Sequence, residues 1–366
     1  MQRTTRMECR GVLANEDADT DVERLVRLRK YNQTSVRLQH TSTADLITSM
    51  MQGIVGQGYG IHSIVDVDGT NVFMKTIPIT KTDLDRMYDT SNIHNLPMYY
   101  HYGVGSAGFG CWRELAFHLK ASDWVVHNQC PHFPIVYHYR IVEEQTVASA
   151  FQTHPIRKQS FEYWGSNENI ERYLQNRAST NHFIVLCLEY FPLTMRATTI
   201  IQDNVCWYLK QIDTILSFLA QQEVIHFDAH LGNLVTDTTI LVLTDFGLVL
   251  DKACRLSQPE ISFFHRNGNY DKAKMIANLA VQLFDYVFEP TRWTEFTHQY
   301  NVDGTAGDEM LEKDVFDHLD FVGNCFHANY MQALHKYRHS IVTYNTFKHE
   351  LRRSCMKRIV FPNSTW

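Results

Sequence analysis

The sequence predicts a mixed α+β fold in which a strand-rich part precedes a mainly helical part. The alternation of residue character in VFMKTIPI and the nearly continuous apolar run HFIVLCLEYF indicate strands. Apolar residues at intervals of three and four in NVCWYLKQIDTILSFLAQQ indicate an amphipathic helix. The residues beyond 270 also have a mostly helical pattern. We therefore expect an extension over 1–45, a first lobe over 46–190 and a second lobe over 191–366.

The composition permits a large folded protein and argues against some partners. The chain has 366 residues, of which 44% are hydrophobic, enough to bury one large core or two adjoining ones. Its formal net charge of −6 provides no basic excess to attract nucleic acid or an anionic membrane. We therefore expect neither as a partner.

Cysteine usage and the absence of long apolar runs bear on location. The eight cysteines are widely spaced and include no C-x-x-C pair, unlike the frameworks of small secreted domains. The opening residues contain no apolar leader, and no run approaches the roughly 18 apolar residues of a membrane span. These features predict a cytoplasmic protein; the sequence is silent on delivery into another cell by a route without such marks.

The elements of the first part follow from turn signals and periodicity. The polar stretch 1–45 is predicted to be a helical extension or arm without chemistry. GIVGQGYGIHSIV leads through the turn DVDGTN into VFMKTIPI, which indicates a hairpin and a strand that carries Lys75. Helical spacing in WRELAFHLKASDWVV places Glu114 on a helix, and PIVYHYRIV and HFIVLCLEYF indicate two later strands.

The chemically dense segment is VIHFDAHLGNLVTDTTILVLTDFGL, residues 224–248. NLV and ILVLT flank a TDT turn, as in a hairpin, which brings Asn233 and Asp245 to neighbouring positions. Asp228 lies five residues before Asn233, and DFG begins twelve residues after it. Phosphoryl transfer needs a carboxylate that accepts the nucleophile's proton and oxygen ligands for Mg²⁺. These three residues supply both.

The motifs H-F-D-A-H-L-G-N and D-F-G resemble those of the protein-kinase-like superfamily, and VFMK and HYGVGSAGFGCWREL look like a bacterial branch of it. The resemblance covers roughly residues 50–290. It implies a bilobal fold with an antiparallel-sheet N-lobe and a mainly helical C-lobe. It also implies ATP and Mg²⁺ as cofactors.

The resemblance assigns roles residue by residue. Asp228 is then the catalytic base, Asn233 and Asp245 bind Mg²⁺, and His226 packs against the metal loop. Lys75 pairs with nucleotide phosphates and is held by Glu114. Glu114 lies 39 residues after Lys75, farther than in compact protein kinases, so residues 81–110 are read as an insertion.

Two further segments are assigned to the nucleotide. Small residues before the hairpin would let backbone N–H groups approach phosphates, at Gly53, Gly56, Gly58 and Gly60. Their G-Q-G-Y-G spacing departs from G-x-G-x-x-G, so a plain flexible turn is the alternative. Backbone groups around Glu189 and Phe191 would hydrogen-bond adenine, with an ordinary buried strand as the competing interpretation.

Interpretations of the same residues without phosphoryl-transfer chemistry stay open. Asp228 and the DFG could be an Asp-rich turn with a chance match, and His226, Asp228 and His230 could form a transition-metal site. Lys75 could be a solvated strand-end lysine and Glu114 a surface helical glutamate.

Three functional hypotheses remain. His230 stands where typical protein kinases have lysine, and the D-x-H-x-G-N form also resembles aminoglycoside and choline phosphotransferases. No A-P-E follows DFG, so a standard phosphorylated activation loop is not expected. We favour a protein Ser/Thr kinase that phosphorylates a protein substrate. The alternatives are a small-molecule kinase acting on a hydroxyl acceptor and a pseudokinase-like nucleotide-binding module.

Overall fold

A computed structural model describes residues 16–57, 59–102, 105–153, 161–195, 205–287, 328–353 and 361–362. It confirms the coarse prediction of a mixed α+β protein with an antiparallel sheet and several helices. Gly58 and most of the region between 288 and 366 that was assigned to the second lobe lie outside the described residues.

The five-stranded sheet is antiparallel throughout, in the order β1-β2-β3-β5-β4. Its strands and the helices around them are α1 (Glu16–His40), α2 (Thr43–Gln52), β1 (Ile54–Gln57), β2 (Ile61–Val67), β3 (Thr70–Pro78), α3 (Lys81–Asp85), α4 (Cys111–Val126), β4 (Val136–Glu143), α5 (Gln145–Thr153), α6 (Glu168–Ala178) and β5 (His182–Glu189). The middle of β5 is buried from Phe183 to Leu188, which confirms the prediction of a strand covered on both faces.

The later elements are mostly helical, with short strands between them. They are β6 (Leu193–Thr194), α7 (Val205–Gln221), β7 (Val224–Ile225), β8 (Leu234–Thr236), β9 (Leu241–Leu243), β10 (Leu250–Asp251), α8 (Gln258–Arg266), α9 (Tyr270–Val287) and α10 (Ala328–Arg353). The predicted hairpin is β8 paired with β9, and β10 pairs with β7. Helix α10 packs on α9, where Tyr270 contacts the rings of Tyr344 and Phe347.

The first part was expected to be mainly strands with one helix, the one that carries Glu114, and this expectation is wrong because α2, α3, α5 and α6 are also present. Helix α3 has only five residues, too few for a periodic pattern. Helix α6 begins at a side-chain cap, where Asn167 Oδ1 accepts the N–H of Ile170, and it buries Ile170 and Tyr173. Such short amphipathic helices are stabilised by the surface they cover.

Helix α1 agrees with the helical alternative predicted for 1–45, over the part of that stretch that the structure describes, and it contacts β4. Arg140 on β4 donates hydrogen bonds to the carbonyl groups of Leu38 and Thr41 at the end of α1. Within the described ranges, none of the helices has both the length and the apolar character of a membrane-spanning segment.

Candidate functional site

Lys75 on β3 lies between two carboxylates. Its Nζ is 2.7 Å from Glu114 Oε1 and 2.7 Å from Asp245 Oδ1. Glu114 is brought there because α4 packs its Trp112 and Leu115 into the same apolar cluster as residues of β3 and β5. Burial alone would lower the pKa of Lys75, but the two carboxylates raise it above its ordinary value. The lysine therefore stays protonated, and neither solvated alternative describes this pair.

The predicted insertion 81–110 contacts the loop that follows Asp245. The N–H of Phe109 donates to the carbonyl of Gly247 at 3.1 Å, and the His101 ring donates from Nδ1 to the carbonyl of Leu248 at 3.0 Å. Gly108 has φ +88°, and a Cβ there would lie 2.7 Å from the Gly247 carbonyl oxygen. The glycine-rich patch thus holds this loop by a close backbone approach.

Asp228 lies in a loop that two residues of helix α9 hold by hydrogen bonds. The N–H groups of His226 and Phe227 donate to the carboxylate of Asp271, at 2.6 and 2.8 Å. Lys274 donates from Nζ to Asp228 Oδ1 at 2.6 Å and to the carbonyl of Phe227 at 2.9 Å. Two residues of one helix therefore fix both the backbone and the carboxylate of this loop.

The surroundings of Asp228 keep its carboxylate ionised. Burial by itself would raise the pKa of Asp228, but Lys274 and His230 together hold it well below its ordinary value. Asn233 adds a hydrogen bond from Nδ2 to Asp228 Oδ2 at 3.1 Å. An ionised carboxylate can accept a proton, for example from a hydroxyl group whose oxygen is forming a new bond.

His226 packs beside the loop that carries Asp245, as predicted. Its ring lies 5.6 Å from that of Phe246, and its Nδ1 accepts the N–H of Asp228 at 3.1 Å. Its Nε2 then carries the proton and donates to the carbonyl of Thr244 at 3.2 Å. Burial lowers the pKa of His226 to about 4, so the ring is neutral. Because both nitrogens are engaged, the transition-metal alternative has no free nitrogen at His226.

The β8–β9 hairpin places Asn233 next to Asp245. The N–H of Thr244 donates to the Asn233 carbonyl at 2.9 Å, so the two ends of the hairpin lie side by side. Asp245 has φ +66°, the left-handed region that aspartate tolerates better than most residues. Its side chain is 47% exposed, against 13% for Lys75.

Asn233 and Asp245 offer oxygen ligands suited to Mg²⁺. Asp245 keeps one carboxylate oxygen beyond the one that meets Lys75, and the Asn233 amide uses its nitrogen on Asp228, which leaves its oxygen. Mg²⁺ is commonly held by one or two such groups together with phosphates. Among the described residues, no three His, Cys, Asp or Glu side chains gather as ligands for a metal ion. The donor set fits magnesium bound with a nucleotide.

Two adjoining cavities meet at this site. The β5 cavity, about 370 Å³, is lined by Phe73, by Val235 and by residues 188–192 at the end of β5. The Asp228 cavity, about 240 Å³, is lined by Asp228 itself, Arg177 and residues 106–108. Both cavities are lined by His62, Lys75 and Asp245, so these residues mark the junction between them.

Glu189 and Phe191 both line the β5 cavity, but Glu189 has another partner. Arg27 of α1 donates to both of its carboxylate oxygens, from Nε at 2.9 Å and from Nη2 at 2.7 Å. The N–H of Glu189 donates to the carbonyl of Ile135 at 2.9 Å, so this N–H is already engaged within the protein. The larger cavity beside α1, about 810 Å³, also touches residues 189–192 but not Asp228.

The glycines before β2 differ in whether a larger residue would fit at their positions. A Cβ at Gly60 would lie 1.9 Å from the Thr76 carbonyl oxygen, and one at Gly53 would lie 2.4 Å from that of Ile64. These two glycines permit close packing within the sheet, although Gly60 also lines the Asp228 cavity. Gly56 has open space around its Cβ position. Their predicted contact with phosphates stays a prediction.

Sequence reasoning missed four residues of this region, namely Arg27, Arg177, Asp271 and Lys274. Asp271 and Lys274 are three residues apart and therefore share a helix face, which is the one signal that the sequence offered for them. Arg27 and Arg177 lie on α1 and α6. Their contacts, with Glu189 and Tyr59, join residues that are far apart in the sequence.

No protein-family model matches the chain, and a comparison with curated proteins finds no similar one.

Proposed function

We propose that the protein is an ATP- and Mg²⁺-dependent phosphotransferase with a bilobal, protein-kinase-like fold. In this proposal the five-stranded sheet with α4 forms the N-lobe, and the helical part from α7 onward forms the C-lobe. The observation that carries it is the convergence of five predicted side chains on two adjoining cavities: Lys75, Glu114, Asp228, Asn233 and Asp245. Ionised base, buried cation and oxygen ligands together are what phosphoryl transfer requires.

Each side chain has a task in this reaction. Asp245 and Asn233 would hold Mg²⁺, which supplies positive charge against the phosphates. Lys75, kept charged by its two carboxylates, would bind phosphate oxygens at the junction of the cavities. Asp228 would orient the acceptor hydroxyl and take its proton as that oxygen bonds to the γ-phosphorus. The bond to the bridging oxygen then breaks, and its electron pair leaves with ADP.

Charge around Asp228 supports an uncharged acceptor hydroxyl, as on a protein Ser or Thr. The carboxylates of Glu114 and Asp245 lie against Lys75, and that of Asp228 lies against Lys274. Arg177 adds a further positive charge to the same cavity. A polycationic acceptor such as an aminoglycoside is bound best by unpaired acidic groups. We therefore propose cytoplasmic protein phosphorylation as the first candidate.

One observation favours a small-molecule acceptor as the second candidate. The Tyr59 hydroxyl donates to the carbonyl of Gly105, and Tyr59 and residues 106–108 line the Asp228 cavity. A cavity of about 240 Å³ lined in this way suits a compact hydroxyl compound more than an extended peptide.

The test is incubation with radiolabelled ATP, Mg²⁺ and a cell lysate, comparing label in protein bands with label in small molecules. We expect label on protein Ser and Thr, reduced roughly 10³-fold in Asp228→Asn, because the base is lost. Asp213→Asn, an exposed carboxylate on α7, is the matched control and should match wild type. Label confined to small molecules would select the second candidate. ATP binding without turnover in any lysate would select a nucleotide-binding module.

A further inference from the structure

Arg177 is a buried cation whose hydrogen-bond partners are neutral. Its side chain reaches from α6 into the protein, and the residue is 4% exposed. Nη1 donates to the Tyr173 hydroxyl at 3.2 Å, and Nη2 donates to the carbonyl of Tyr59 at 3.0 Å. Within the described part of the chain, no carboxylate lies at ion-pair distance from this guanidinium.

A buried cation without a carboxylate at ion-pair distance is less stabilised than a paired one, because it has lost water. Glu114 lines the same cavity and acts on Arg177 only from beyond that distance. The other buried cations of the site differ from Arg177 in this respect. Lys75 meets Glu114 and Asp245, and Lys274 meets Asp228. Arg177 lines the Asp228 cavity and carries five N–H donors, more than its two neutral contacts use. The arrangement is suited to an anion that enters this cavity.

The position of Arg177 indicates which anion. The β5 cavity ends at residues 188–192, where the base of a nucleotide would lie, and Lys75 stands at the junction. Arg177 lines only the second cavity, together with Asp228, the proposed base. A nucleotide that begins at β5 and passes Lys75 brings its last phosphate to the side where Arg177 lies.

We propose that Arg177 binds the terminal phosphate of the nucleoside triphosphate, an inference that rests on the proposed function. The guanidinium fork matches two phosphate oxygens and stays charged at any physiological pH. His230, which stands two residues after Asp228, is engaged locally, since its Nδ1 accepts the N–H of Gly232 at 2.9 Å. Arg177 thus supplies from α6 a phosphate contact that this loop does not supply with a lysine.

The contact with Tyr59 couples this phosphate site to the turn before β2. Tyr59 is held at its carbonyl by Arg177 and at its hydroxyl by the Gly105 carbonyl. The same guanidinium therefore holds Tyr59, and both residues line the Asp228 cavity.

The experiment measures the affinities of ATP and ADP by calorimetry, with Mg²⁺ present, for wild type and three variants. Arg177→Gln should weaken ATP binding about tenfold or more while changing ADP binding less than about twofold, since ADP lacks the terminal phosphate. Arg177→Lys keeps the charge but not the fork, so a smaller, ATP-specific loss is expected. Arg172→Gln removes an exposed arginine from the same helix and should change neither affinity.

The outcomes separate this inference from the proposed function. If wild type binds ATP and ADP but Arg177→Gln loses both equally, or neither, Arg177 does not hold the terminal phosphate and the proposed function stands. If wild type binds neither nucleotide, the proposed function fails and this inference fails with it. Melting curves check the fold of each variant. Should Arg177→Gln not fold, Arg177→Lys decides alone, and unchanged ATP affinity in that variant overturns the inference.

Discussion

Two charge clusters face each other across the site, and they are built in opposite ways. In the first, the single cation Lys75 is shared by Glu114 from α4 and Asp245 from the loop after β9. In the second, the single carboxylate Asp228 receives Lys274 from α9 and the amide of Asn233. In the first cluster two carboxylates share one lysine, whereas in the second one carboxylate lies at ion-pair distance from one lysine. Removing a lysine therefore has different consequences in the two clusters.

Exposure divides the members of these clusters by task. Asp245 is 47% exposed, whereas the side chains of Glu114 and Lys274 are 7% and 8% exposed. The exposed carboxylate is the one able to meet a ligand, and the buried partners fix geometry and charge. This division predicts an order of effects among single substitutions.

The largest effect is expected at Asp245. Asp245→Asn keeps a side chain that tolerates the left-handed backbone at φ +66° but removes the charge that would hold Mg²⁺. We expect Mg²⁺-dependent phosphoryl transfer to fall roughly 10³-fold, with little change in the melting temperature. Initial rates over a magnesium titration check this, and full activity in Asp245→Asn would refute the metal assignment.

The next effect is expected at Lys75. Lys75→Met leaves Glu114 and Asp245 without their shared cation, so both phosphate binding and local charge balance are lost. The transfer rate should fall by about 10² or more. Lys81→Met, an exposed lysine just after β3, serves as the control. A rate within a few-fold of wild type would contradict the proposed contact of Lys75 with phosphate and leave it a structural ion pair.

The smallest effect is expected at Lys274, where the change is mainly in pH dependence. Lys274 lowers the pKa of Asp228, so Lys274→Met raises it and the base becomes protonated at a higher pH. The acid limb of the pH–rate profile should move to higher pH, while Asp228 stays ionised at neutral pH and the rate there changes least of the three variants. Lys272→Met, exposed on the same helix, should leave the limb in place. An unmoved limb in Lys274→Met contradicts the pairing.

What the sequence predicted about this site depends on how locally each contact is encoded. Asp228, Asn233 and Asp245 lie within one hairpin segment, so spacing and turn signals were sufficient to bring them together. Lys75 and Glu114 meet through packing of α4 against the sheet, and the resemblance supplied that pair.

The remaining contacts have no local pattern to announce them. Lys274 reaches Asp228 across 46 residues and Arg177 reaches Tyr59 across 118. A charged residue on a helix usually faces water, and nothing in the neighbouring letters marks those that do not. The extra helices of the first part were not predicted for a related reason, since their burial depends on surfaces built by distant strands.

The clamp between Arg27 and Glu189 has a practical consequence for anyone who shortens the chain. Arg27 also donates to the carbonyl groups of Pro131 and Phe133, so one side chain ties α1 to the segment before β4 and to the end of β5. Expression from residue 42 onward would remove these contacts, and the Glu189 carboxylate, which is 8% exposed in the full chain, would lose its cation and the cover of α1. A trimmed version that starts after α1 should therefore be less soluble and should melt earlier than the full chain.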